Sequence, residues 1–60
     1  MPTSEDLFLS ALYNTVYELY RLLSKSMLRV VWSRDEEAFV RVTLSVLREL
    51  MEMVRRKMGR

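Results

Sequence analysis

The chain has 60 residues and a mass of 7.2 kDa, which is enough for one small domain. It contains neither cysteine nor histidine, so disulfides, the usual structural zinc sites and nucleophilic triads with a histidine base are excluded. Half of the residues are hydrophobic and 30% are charged, a composition that excludes a disordered chain. Because a chain this small hides only about 60% of its surface on folding, we expect it to gain stability by oligomerisation.

The first predicted helix covers about residues 4–32. Polar side chains recur there at steps of three and four and so follow one face of a helix: Ser10, Asn14, Glu18, Arg21, Lys25 and Arg29. The longest run without a charge, residues 7–17, is much shorter than the about 20 residues that span a bilayer. The first residues are acidic, whereas a signal peptide begins with basic ones, so we expect a cytoplasmic protein without a membrane span.

The second predicted helix covers about residues 34–58 and begins at a capping box, in which Ser33 caps the helix and Glu36 reaches back to it. Its polar stripe lies about 160° around from that of the first helix, so one unbroken rod would turn its apolar side in two directions. The sequence therefore predicts two helices that fold back as an antiparallel hairpin. Residues 1–60 form this single domain, with residues 1–3 and 59–60 as frayed ends.

The apolar arc of each predicted helix spans about 200°, which is wider than the arc of about 100° that one neighbour covers. Two hairpins that pair into a dimeric four-helix bundle would give each helix two neighbours. The partner is therefore predicted to be a second copy, or else another helical protein. We assign this interface to aromatic, aliphatic and methionine side chains on one flank of each helix: Tyr13, Tyr17, Tyr20, Met27, Val40, Leu44, Leu47, Met51 and Met58.

Basic residues suggest an alternative function, the binding of nucleic acid. The net charge is +2, and possible phosphate contacts are a row of arginines on the second helix and the basic residues near its end: Arg41, Arg48, Arg55, Arg56 and Lys57. The competing interpretation is a solvated face paired with acids of the same helix, because Glu37 precedes Arg41 by four residues and Glu52 lies between Arg48 and Arg55. We expect the paired face, and no catalytic site, cofactor or metal.

The sequence Asp35-Glu36-Glu37-Ala38 and the chain length resemble the Rop family, whose members are small RNA-binding hairpins that dimerise into four-helix bundles. The resemblance covers these few residues, and the alanine-rich core layers of that family are absent from a chain with two alanines. It implies the dimeric bundle as an expectation and transfers no RNA-binding residue. A designed helical bundle without a natural function is a further alternative.

Overall fold

The computed structural model describes residues 3–59, which form two helices joined by a short connection. Helix α1 is Ser4–Arg29 and helix α2 is Arg34–Met58. The helices run antiparallel, since Tyr13 near the start of α1 contacts Arg55 near the end of α2. The predicted all-α helical hairpin is confirmed. Met1, Pro2 and Arg60, which belong to the predicted frayed ends, lie outside the described residues.

Capping groups fix the outer ends of both helices. The backbone N–H of Asp6 donates to the Thr3 side chain at 3.1 Å, and the Thr3 N–H donates to the Asp6 carboxylate at 3.3 Å, so α1 begins with a capping box. At the other end, the Gly59 N–H donates to the Arg55 carbonyl at 2.9 Å. Gly59 is right-handed (φ −76°, ψ −1°), so ending α2 there does not depend on the conformational freedom of glycine.

The connection between the helices begins earlier than the sequence predicts. Helix α1 ends at Arg29 and not at residue 32, because Val30 is extended (φ −118°, ψ 139°), although its N–H still donates to the Ser26 carbonyl. The chain needs extended residues to cross from one helix axis to the next, and β-branched Val30 and Val31 favour that conformation. The predicted capping box of α2 is confirmed, with distances of 3.2 Å and 2.9 Å between Ser33 and Glu36.

The hairpin is held together by an inner seam, one row of side chains on each helix. All its members are buried or half-buried: Leu9, Tyr13, Val16, Tyr20, Leu23 and Met27 on α1, and Val40, Leu44, Leu47, Met51, Val54 and Met58 on α2. Their spacing alternates between four and three residues, which is the heptad repeat of two helices that pack side by side. Five of them are buried, with 4–9% of their surface exposed: Leu9, Val16, Val40, Leu47 and Val54.

The hairpin is long and thin. Its principal extents are 47 × 16 × 12 Å, so its smallest dimension is the diameter of one helix. Its accessible surface is 5172 Å², compared with about 4,100 Å² for a compact monomer of the same mass. One layer of two helices therefore leaves each helix covered on one side only.

We predict that Ser33→Ala lowers the free energy of unfolding by about 1 kcal/mol, because α2 loses the side chain that accepts from the Glu36 N–H. Ser45→Ala is the matched control, since Ser45 is exposed within α2, where alanine favours the helix slightly. Urea unfolding followed by circular dichroism measures both changes. Equal stability of the two variants would contradict the capping role of Ser33.

Truncation in the inner seam has a larger expected effect. Leu47 is 8% exposed and Leu28 is 91% exposed. We predict that Leu47→Ala lowers the free energy of unfolding by about 2–4 kcal/mol, whereas Leu28→Ala changes it by about 0.5 kcal/mol or less. The same urea titration tests this difference. Similar losses for both variants would mean that Leu47 does not belong to the core of the hairpin.

Candidate functional site

A second heptad stripe lies beside the inner seam on each helix. Each of its members comes one residue before a member of the seam: Phe8, Leu12, Thr15, Leu19, Leu22 and Ser26 on α1, and Phe39, Thr43, Val46, Leu50, Met53 and Lys57 on α2. We call these twelve residues the open face. A shift of one residue turns a side chain by about 100° around the helix axis, so the open face points to one side of the hairpin. Four of its residues, Leu12, Ser26, Thr43 and Leu50, are half-buried, and the other eight are exposed.

The two halves of the open face lie on the same side of the hairpin. Because α1 and α2 run in opposite directions, the residue one position before a seam residue points to the same side of the hairpin on both helices. The exposed fractions are large for side chains of this type: 69% for Phe8, 65% for Leu22 and 73% for Phe39. Soluble monomers rarely expose a continuous apolar patch of this extent, so the open face is the main candidate for an interaction surface.

Eight of the nine interface residues predicted from the sequence lie in the inner seam, where they are at least half-buried within one chain. The ninth, Tyr17, is exposed on the other side of the hairpin. A role of these residues between chains stays a prediction. Among the described residues, six of the twelve exposed large apolar side chains belong to the open face, which sequence reasoning did not select as the interface: Phe8, Leu19, Leu22, Phe39, Val46 and Met53. The signal was present, because the exposed residues repeat at heptad spacing one position before the seam.

The opposite side of the hairpin carries tyrosine hydroxyls that accept hydrogen bonds from arginines across the helices. Arg48 Nη2 donates to the Tyr20 hydroxyl at 3.1 Å, and Arg55 Nη2 donates to the Tyr13 hydroxyl at 3.4 Å. The Arg48 guanidinium carbon also lies 6.0 Å from the centre of the Tyr20 ring. The hydrogen bond to Tyr20 raises the pKa of Arg48 above its ordinary value, so this cation keeps its charge.

Acidic neighbours and tyrosines engage four of the five residues predicted as phosphate contacts. Arg41 pairs with Glu37 at 2.9 Å, as the spacing of four predicts. Glu52 pairs with Arg56 at 3.8 Å and not with Arg48 or Arg55, which donate to the tyrosines instead.

Helical periodicity also separates these predicted phosphate contacts. Around the axis of α2, Arg56 points away from the side that carries Arg48 and Arg55, and Lys57 lies at the edge of the open face. The structure therefore does not bring the five cations together in one row.

A groove opens at the end of the hairpin that holds the connection; we call it the turn-end groove. Its volume is about 430 Å³, and it is lined by Leu23, Trp32, Glu36, Phe39, Val40 and Thr43. The Trp32 indole N–H donates to the Ser26 hydroxyl at 3.3 Å, which fixes the ring at the end of the groove. Because Phe39 and Thr43 also belong to the open face, the groove is continuous with that face.

Other kinds of site find no support in the part of the chain that the structure describes. Within residues 3–59, no three acidic side chains form a group suited to a metal ion. Neither helix, α1 or α2, has the length and apolar character that a membrane crossing requires. The expected absence of catalysis and the expected cytoplasmic location stay predictions.

The chain was compared with protein-family models, curated proteins and solved structures, and none of the three comparisons gave a match. The similarity to the Rop family therefore rests on chain length, hairpin architecture and a short acidic segment. It carries no assignment of function.

Proposed function

We propose that the chain is a homo-oligomerisation module, in which two hairpins pack open face against open face as a dimeric four-helix bundle. The observation that carries this proposal is the second heptad stripe, which repeats along both helices and lies on one side of the hairpin. A two-fold axis would bring identical faces together, so each helix would have one neighbour in its own chain and one in the partner.

The area that such a dimer would bury is in the range of stable dimers. Two separate hairpins expose twice 5172 Å², whereas a compact body of twice the mass exposes about 6,800 Å². Pairing would thus remove about 3,500 Å² from water, and obligate dimers bury about 2,000–5,000 Å². This area favours a permanent assembly over a transient encounter.

The chemistry of the two sides also favours this arrangement. The open face holds no acidic residue, its polar members Thr15, Ser26 and Thr43 are small, and its one charged member, Lys57, lies at an end where its ammonium can reach water. The side with Tyr13, Tyr20 and the arginines would remain in solvent. A partner of a different kind, such as a foreign helical protein, would need its own apolar surface, whereas a second copy supplies one of matching size.

Binding of nucleic acid receives less support. Four of the five predicted phosphate contacts already form ion pairs with carboxylates or donate to tyrosine hydroxyls within the chain. A phosphate would have to replace those acceptors, and the cations lie on different sides of α2. The proposal therefore assigns the arginines to the outer surface of the bundle.

Val46→Lys tests the proposed assembly. Val46 lies in the middle of the α2 half of the open face and is exposed in the single hairpin, so lysine is tolerated there by the hairpin itself. In a two-fold dimer the charge enters the interface twice and costs several kcal/mol. Sedimentation equilibrium should give about twice 7.2 kDa for the unmodified chain and 7.2 kDa for Val46→Lys at the same concentration.

Ser45→Lys is the matched control, because Ser45 is exposed on the outward side of the same helix. We expect it to keep the mass of the unmodified chain. A Val46→Lys variant that assembles like Ser45→Lys would exclude the open face as the interface. A folded unmodified chain at 7.2 kDa would leave a foreign protein or a membrane surface as the occupant and refute self-association.

A salt series with fluorescent DNA and RNA tests the alternative function. We expect no change of anisotropy near 0.15 M salt, because four of the five cations have partners within the chain and the whole chain carries a net charge of only +2. Tight binding that weakens steeply as salt increases, and that is lost in Arg48→Gln, would favour a nucleic-acid function over the proposed one.

A further inference from the structure

The two ends of the open face differ in shape. At the turn end the face contains the turn-end groove, whose lining includes Leu23 and Phe39, and Phe39 is itself 73% exposed. At the other end Phe8 projects from α1 with 69% of its surface exposed. The depression near Phe8 is lined by Thr3, Glu5, Asp6, Lys57 and Met58, most of which are polar or charged, so it offers the phenyl ring no apolar site.

Phe8 and the groove lie at nearly equal distances from the middle of α1. Phe8 is 15 residues before Leu23, so the midpoint between them falls between Thr15 and Val16. The middle of Ser4–Arg29 falls between Val16 and Tyr17, about 1.5 Å further along the helix. A two-fold axis that crosses the helices at their middle therefore brings Phe8 of each chain to the height of the groove of the other, with nearly complete overlap of the helices.

We propose that the turn-end groove is a binding site for Phe8 of a second copy, and that the two hairpins pair with their turns at opposite ends. This inference rests on the proposed self-association and specifies its geometry. In the other two-fold arrangement, with both turns at one end, groove would face groove, and each Phe8 would lie at the polar end near Lys57. Pairing of unlike ends places a projecting ring over a recess in both copies.

The chemistry of the groove suits a phenyl ring. Its lining is apolar apart from Glu36 and the Thr43 hydroxyl, and a cavity of about 150 Å³ in another protein already holds benzene, compared with about 430 Å³ here. Trp32 stands at the end of the groove, where an incoming ring can meet it edge to face. The site is incomplete in one chain, because its own Phe8 lies 15 residues before Leu23, which is about 22 Å away along α1.

Distances between spin labels test the arrangement. The chain has no cysteine, so Arg34→Cys gives a single labelling position, exposed at the start of α2 and outside the open face. Arg34 lies 12 residues from the middle of α2, so turns at opposite ends place the two labels at least about 36 Å apart along the bundle. Turns at one end place them within about 20 Å, the width of two helices.

The fluorescence of Trp32, the only tryptophan, tests the occupant. Phe8→Ala should shift its emission to the red and increase quenching by acrylamide, although the two residues of one chain lie too far apart to touch. Leu7→Ala is the matched control, because Leu7 has a similar exposed fraction at the same height but points away from the open face. It should leave the emission of Trp32 unchanged.

The outcomes separate this inference from the proposed function. A dimer with a short label distance, or a dimeric Phe8→Ala variant with unchanged Trp32 emission, overturns the inference and leaves self-association intact. A monomeric chain with no distance between labels overturns both. If Phe8→Ala is itself monomeric, the label distance in Arg34→Cys decides, because that variant keeps Phe8.

Discussion

Each helix of this chain carries two apolar heptad stripes, offset by one residue, and one neighbouring helix can cover only one of them. Within the hairpin, α1 and α2 cover each other's inner seam, in which Val16, Leu47 and Val54 are buried. The second stripe of each helix then faces solvent on one side of a layer that is only 12 Å thick. With two helices per chain, any further cover of these side chains would have to come from another molecule. The size of the chain and the width of its apolar arcs thus act together as the constraint that sets the architecture.

Much of the fold could be predicted because its determinants are local. The break between the helices depends on Ser33 and Glu36, which exchange hydrogen bonds over three residues, and such a box is readable from sequence. Helix α1 ends three residues before its predicted end, because Val30, Val31 and Trp32 continue an apolar pattern that helices also show but are not helical here. Helix α1 ends at Arg29 because the following residues are extended and connect α1 to α2. This requirement arises from the tertiary structure of the hairpin and not from the local sequence.

The choice between the two stripes could not be predicted in this way. Leu19 and Tyr20 are neighbours, and either could have faced α2. In the structure Tyr20 faces α2, where its hydroxyl accepts from Arg48, whereas Leu19 is 49% exposed. Residues that the sequence predicts at the partner interface, such as Val40 and Leu47, are buried within the hairpin, and their role between chains stays a prediction.

The contacts of Arg41, Arg48 and Arg55 also could be predicted only in part from the sequence. The pair of Glu37 and Arg41 follows from spacing within one helix, and the structure contains it. Arg48 and Arg55 instead meet Tyr20 and Tyr13, and these contacts arise only after α1 lies beside α2. These two arginine side chains thus form hydrogen bonds between the helices on the side opposite the open face. The open face therefore remains the main candidate for an interaction surface.

The dependence of the melting temperature on protein concentration tests most directly whether the uncovered second stripe requires a partner molecule. The measurement needs only the unmodified chain at several concentrations. If folding and pairing are coupled, the melting temperature of the unmodified chain should rise steadily with concentration, since mass action stabilises an assembled state. A cooperative transition at the same temperature across a thousandfold range of concentration would show that the hairpin is stable with its second stripe uncovered. That result would contradict the account.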